Sequence, residues 1–197
     1  MRIAHLALAA VVVLPAAVAA QQPSATPPAN PITQVFRGRT MALQRNLAQA
    51  FDSIPERLFS YKPTPAQLSI GYIAQHLATD NYIFCNAFGD MKATVPPQDT
   101  ATPDSAKAKW PKDMLVSKLK ASFDFCERAF AQLDDAKLAD QVSVQFGSGP
   151  ARQIPRAQMV LGHVIDMADH YSQLANYMRL NDMLPPTALP RPPRPGN

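Results

Sequence analysis

Three histidines follow the first twenty residues, His76, His163 and His170, and two of them fall in one segment, HVIDMADHYSQLANYMRLNDMLPP, running from His163 to Pro186. A residue on an α-helix advances about 100°, so His163, Asp166 and His170 share an arc of about 60°. Gln173 and Tyr177 extend that stripe, while Val164, Met167, Tyr171, Leu174 and Met178 cover much of the remaining surface. A helix that is apolar apart from one polar stripe turns the stripe toward a partner or a cavity, because buried polar groups need hydrogen bonds or a metal. His76 lies on another apolar segment with Asp80 one turn further on, placed to accept a hydrogen bond from the ring. Imidazole and carboxylate on facing helices make a ligand set for Zn²⁺, Ni²⁺, Mn²⁺ or Fe²⁺, and a carboxylate behind a ligating histidine fixes its tautomer. The same residues admit a plainer reading, in which Asp166 simply pairs with His163 or His170 at turn spacing inside a packed core. Asp169 lies on a different side and is expected in solvent. Neither Ser69 nor Ser172 sits in a nucleophile elbow, and neither cysteine lies in a pattern that marks a reactive thiol.

The elements that must position these groups read as four helices. The first starts near Asn30-Pro31, a cap residue followed by a first-turn proline, and runs to Pro55 with Val35, Met41, Leu43, Leu47 and Phe51 at helical intervals. Pro63 and Pro65 interrupt the chain before Ser69 caps the second helix, IGYIAQHLATDNYIFCNAF, which Gly89 stops. Ile70, Ile73, Leu77, Ile83 and Phe84 make that helix central. The proline-bearing stretch from Asp90 to Pro111 reads as a long surface connection. A third helix carries Met114, Leu115, Leu119, Phe123, Cys126 and Phe130 on one side and ends near Asp134-Asp135. Val142, Val144 and Phe146 alternate before a GSGP turn, as a small hairpin or an extended link. Pro155 then opens the fourth helix, from about Arg156 to Leu180. The fold class this implies is all-α, a four-helix bundle with a long connection between the second and third helices.

Composition bounds the remainder. The 197 residues are 47% hydrophobic and 17% charged, with a net charge of +4, which suits one globular domain. No Lys/Arg run forms a phosphate-binding stripe, so nucleic acid is not an expected partner. Residues 1–20 read as a secretory signal peptide, with Arg2, an apolar run from Ile3 to Val13 too short to span a bilayer, and small residues from Ala16 to Ala20. Residues 21–30 form a Pro/Ser/Ala-rich leader and residues 187–197 a proline-rich tail, leaving 31–186 as the domain. No later segment is apolar enough for a membrane span. The expected location is therefore periplasmic or secreted. Cys85 and Cys126 are open to two fates in such a compartment, a disulfide or two buried thiols on separate helices.

The order FSYKPTPAQLSIGYIAQHLATDNYIFC, then ASFDFC, then VIDMADHYSQLANYMRLNDMLPP resembles the DinB-like superfamily, four-helix bundles related to YfiT-type metal-dependent hydrolases. The similarity runs from about Thr33 to Pro186 and is carried most specifically by H-x-A-x-x-N-Y-x-F-C from His76 and H-Y-x-Q-L-x-x-Y-x-R-L-N from His170. It implies divalent-metal ligands at one histidine of the second helix and at an H-x-x-x-H pair of the fourth. His76 matches the first and His170 the last, but the middle position is Asp166, which changes the charge of the site and its preference among metals. His163 would be a substitute ligand, and it and Asp80 would otherwise be supporting or proton-transfer groups. Two functions follow: a metal-dependent hydrolase or thiol transferase acting on a small molecule, or a non-catalytic ligand-binding or scaffold bundle with a metal-free hydrogen-bonded stripe. A homodimer is compatible with either.

Overall fold

Proline marks most of the helix starts. The computed structural model describes residues 29–145 and 147–190, so the segment read as a signal peptide, most of the leader, Phe146 and the last seven residues lie outside the described residues. Helix α1 (Pro31–Ser53) opens on a proline, as does the short α3 (Pro97–Ala101). Helices α4 (Asp104–Lys107), α5 (Lys112–Phe130) and α6 (Arg156–Arg179) each follow one directly, at Pro103, Pro111 and Pro155. A proline there loses no helical hydrogen bond and holds the φ that a helix start uses. Helix α2 (Ile70–Gly89) instead starts at Ser69, whose hydroxyl accepts the Tyr72 N–H at 3.2 Å. Ser69→Ala is expected to lower the unfolding free energy by about 1 kcal/mol, read as a shift of the urea midpoint at unchanged slope.

The four long helices form the bundle. Helix α2 packs on both α5 and α6, and α1 closes the ring against α6 and α5. Arg156 donates to the Phe88 carbonyl at 2.6 Å, which sets the start of α6 at the end of α2. Lys112 Nζ donates to the Asp52 carbonyl at 2.8 Å, which sets the start of α5 at the end of α1. Helices α2 and α5 run parallel, so the chain must cross the bundle length between them, and α3 and α4 lie on that crossover. The sequence reading made it a plain surface connection; α4 packs against α2. At the other end, β1 (Gln141–Val144) pairs antiparallel with β2 (Arg152–Pro155), Val142 opposite Ile154, so the segment is a hairpin.

Other expectations are corrected in detail. Val35 and Met41 face solvent at 66% and 46% exposure, while Thr33, Thr40, Gln44, Leu47, Ala50 and Phe51 are the buried face of α1. All of these but Ala50 fall within about 60° of arc. Ile83 and Met114 are also largely exposed. Asn30 provides no side-chain cap; the Asp135 carboxylate reaches across to accept the Ile32 and Thr33 N–H groups at 3.0 and 2.7 Å. Gly89 does not supply the left-handed residue that ends α2, which is Asp90 at φ 51°. Its lack of a side chain serves packing, since a Cβ there would collide with Ala129 of α5. The third helix ends at Phe130, before Asp134. The tail's first residues join the fold, with Tyr171 Oη donating to Thr187 Oγ1 at 2.9 Å and accepting the Thr187 N–H. No helix among the described residues is long and apolar enough to cross a membrane.

Candidate functional site

The buried residues form two apolar clusters along the bundle. One holds Leu47, Phe51, Ile73, Leu77, Leu119 and Met167; the other holds Phe88, Phe125, Phe130, Met159 and Val160. Where the clusters meet, α2, α5 and α6 contribute a polar layer. Asn81 Nδ2 donates to Ser122 Oγ at 2.8 Å, Ser122 donates to the Leu119 carbonyl, and His163 Nε2 lies 2.9 Å from Asn81 Oδ1. The layer abuts a Cys85–Cys126 disulfide with Cα atoms 5.2 Å apart, and no cysteine is free among the described residues. His163 Nε2 stands 3.7 Å from Cys85 Sγ, and the Phe84, Phe88 and Phe130 rings surround the imidazole. Burial pushes its pKa down to about 4, only weakly opposed by Asp166, so the ring is neutral at ordinary pH.

His163 therefore belongs to the core and not to the cluster that the other predicted groups form. Two turns further along α6, His170 meets His76 of α2 edge to face, with ring centroids 4.8 Å apart. His76 Nε2 is 3.4 Å from Asp80 Oδ2, and His170 Nε2 is 3.5 Å from Asp166 Oδ1, so each imidazole has a carboxylate four residues away on its own helix. One donor atom from each of His76, Asp166 and His170 falls within 4.8 Å of the others. Asp166 and His170 are the inner members, while His76 and Asp80 are about a quarter exposed and form the solvent-side rim. Asp169 lies outside, accepting from Gln173 at 2.7 Å. Tyr177, placed on the same stripe by sequence, packs instead against Tyr61.

The four groups share charge. Burial raises the pKa of the Asp80 carboxyl against the pull of His76, and Asp166 raises it further. Burial alone would lower that of His170, but the hydrogen bond and charge of Asp166, together with Asp169 and Asp80, raise it above the ordinary imidazole value. Asp166 Oδ2 and His170 Nδ1 are buried and have no hydrogen-bond partner. Two carboxylates and two imidazoles converge there with an unpartnered carboxylate oxygen, a donor set that can hold a cation or shared protons.

Sequence reasoning missed Asn81 and Ser122, the partners that account for His163. Asn81 carried the same signal as His76, a polar residue on an apolar helix, and it is wholly buried. A family model described as the DinB superfamily matches residues 39–174. Among solved structures, a DinB-like protein from Bacillus cereus ATCC 10987 is similar at 17% identity and TM-score 0.60, covering 78% of this chain and 95% of that one. A conserved protein from Enterococcus faecalis is similar at 15% identity and TM-score 0.56, over 76% and 96% of the two chains. The mycothiol-dependent maleylpyruvate isomerase is similar at 11% identity and TM-score 0.57, over 72% of this chain and 60% of the isomerase. None of the curated proteins matches this sequence.

Proposed function

Since the chain belongs to the DinB superfamily, we propose that His76, Asp166 and His170 hold one divalent cation between α2 and α6, in an exported protein that hydrolyses a small molecule. The observation that carries this is the convergence of three donor atoms within 4.8 Å, one of them on a carboxylate whose second oxygen is buried without a partner. Ligands about 2.1 Å from a common ion stand roughly 3–4 Å apart, so the side chains need contract by no more than about 1–2 Å to fit Zn²⁺, Ni²⁺, Mn²⁺ or Fe²⁺. A bound ion of this kind supplies Lewis-acid activation of water.

The chain's own residues do the rest. Asp80 orients the His76 ring from behind, and the raised pKa of its carboxyl suits it to hold and return a proton at the solvent-side rim. Asp166 neutralises charge at His170 and keeps that ring aimed at the cluster. The core below excludes water on the inner side, since Met167 and Leu174 on the neighbouring turns of α6 are fully buried. Export is supported by the Cys85–Cys126 bridge, because disulfides persist in oxidising compartments. An exported chain is separated from cytosolic thiol cofactors, which favours hydrolysis over thiol transfer. The competing reading, a metal-free network, rests on the 3.4 and 3.5 Å imidazole–carboxylate contacts and leaves Asp166 Oδ2 unexplained.

Protein purified without chelator is expected to carry close to one equivalent of divalent metal by elemental analysis, and His76→Ala and His170→Ala each to lose most of it. Equal metal content in wild type and both variants would remove these residues from the site.

A further inference from the structure

We infer that this protein has a second ligand site, for a small, neutral, planar molecule bearing an amide or lactam edge, in the half-open cavity bounded by α2, the α3–α4 segment and α5. The cavity is about 580 Å³, within the range of small-molecule pockets. It lies around α2 from the histidine cluster, starting at Gln75 and Thr79, the residues before His76 and Asp80. Its roof is held down by close backbone contact. A Cβ on Gly71 of α2 would collide with the Ala108 carbonyl just after α4. The sequence has built a lid seat there that any larger residue would block.

The lining chemistry defines the ligand. Tyr82 and Trp110 contribute aromatic faces, and Val95 and Leu115 aliphatic ones. Every charge on the wall is already answered: Lys107 by Asp104 at 2.8 Å, and Lys118 by both oxygens of Asp99 at 2.7 Å. Several neutral polar groups are also committed. Thr79 donates to the Gln75 carbonyl, Thr100 donates to the Pro97 carbonyl, and Asn86 Oδ1 accepts the Ala93 N–H. Gln75 is the polar residue of the lining that is buried without a partner, 4% exposed, with neither carboxamide atom hydrogen-bonded. A buried amide with no partner is unfavourable, and Gln75, which lines the cavity with both carboxamide atoms covered, is satisfied when its side chain turns to a ligand offering an acceptor beside a donor. A carboxylate offers acceptors alone and would meet no free cation.

Trp110 is the only tryptophan of the chain and lines both this cavity and the neighbouring one beside Phe59 and Tyr72, so its fluorescence reports binding and the Gln75 variant assigns that binding to this cavity. Titrating the full chain with benzamide is expected to change that emission saturably, with benzoate binding at least tenfold more weakly. Gln75→Leu is expected to weaken benzamide about tenfold while holding or gaining thermal stability, because it removes an unpartnered polar group; a merely structural Gln75 would lose stability instead. If Gln75→Leu does not fold, Thr79→Leu, which fills the cavity from its wall, is expected to abolish the response. A non-saturable signal with wild type, equal affinity for benzoate, or unchanged affinity in the folded variant would overturn the site.

Discussion

Reducing the Cys85–Cys126 bridge is expected to lower the unfolding free energy by about 4 kcal/mol. The bridge closes a loop between residues 41 apart, and the chain-entropy estimate for a loop of that length gives this size. The location adds to the effect. It ties α2 to α5, the parallel pair whose connection is the crossover bearing α3 and α4, at a point where both sulfurs are fully buried beside Asn81 and His163. Cys85→Ala with Cys126→Ala should reproduce the loss seen with dithiothreitol in urea unfolding. A change below about 1 kcal/mol in both experiments would show that packing alone holds the two helices.

Acidification is expected to destabilise the fold by about 3 kcal/mol through His163. Its pKa in the folded chain is about 4 against an ordinary 6.5. Above pH 6.5 the ring is neutral in both states and contributes nothing to the pH dependence. Between 6.5 and 4 the unfolded chain takes up a proton that the folded chain refuses, so stability falls as pH falls, and the full loss is present below 4. A shift of about 2.5 units at about 1.4 kcal/mol per unit gives the magnitude. In His163→Leu, stability at pH 7 drops because Asn81 Oδ1 loses its partner, but the curve between pH 6.5 and 4 should be flatter than that of wild type by about 3 kcal/mol. Parallel curves would mean that the ring accepts a proton in place.

The helices were legible because their punctuation is local. Ser69, Pro31 and Pro155 act on neighbouring backbone groups, and α1, α2 and α6 begin where those residues place them. What was illegible depends on contacts distant in sequence. Val35 and Met41 look like core residues until α1 is turned so that Thr33, Thr40 and Gln44 face inward, a choice made by α5 and α6. The prolines of the crossover were read as breakers, but Pro97 and Pro103 stand at helix starts, where proline is favourable.

The site divides the same way. Spacing placed His163, Asp166 and His170 on one face of α6 and paired His76 with Asp80, and the structure brings His76, Asp166 and His170 together. A common face does not fix depth, however. His163 lies two turns before His170, where the opposing residues are Asn81 and Cys85, so it faces a buried amide and the disulfide while His170 faces His76. The disulfide itself required a 5.2 Å Cα separation that no sequence pattern supplies.

The central claim, that Asp166 completes a cation site with His76 and His170, is tested most directly by calorimetric titration of the metal-free full chain with Zn²⁺, Ni²⁺ and Mn²⁺. One saturable site per chain is expected for at least one ion. Binding should also release protons and weaken as pH falls, because His170 must give up a proton that its carboxylate neighbours favour. Absence of saturable binding by all three ions at neutral pH, in a chain whose Asp166→His variant does bind, would contradict it and identify Asp166 as the residue that removed the metal.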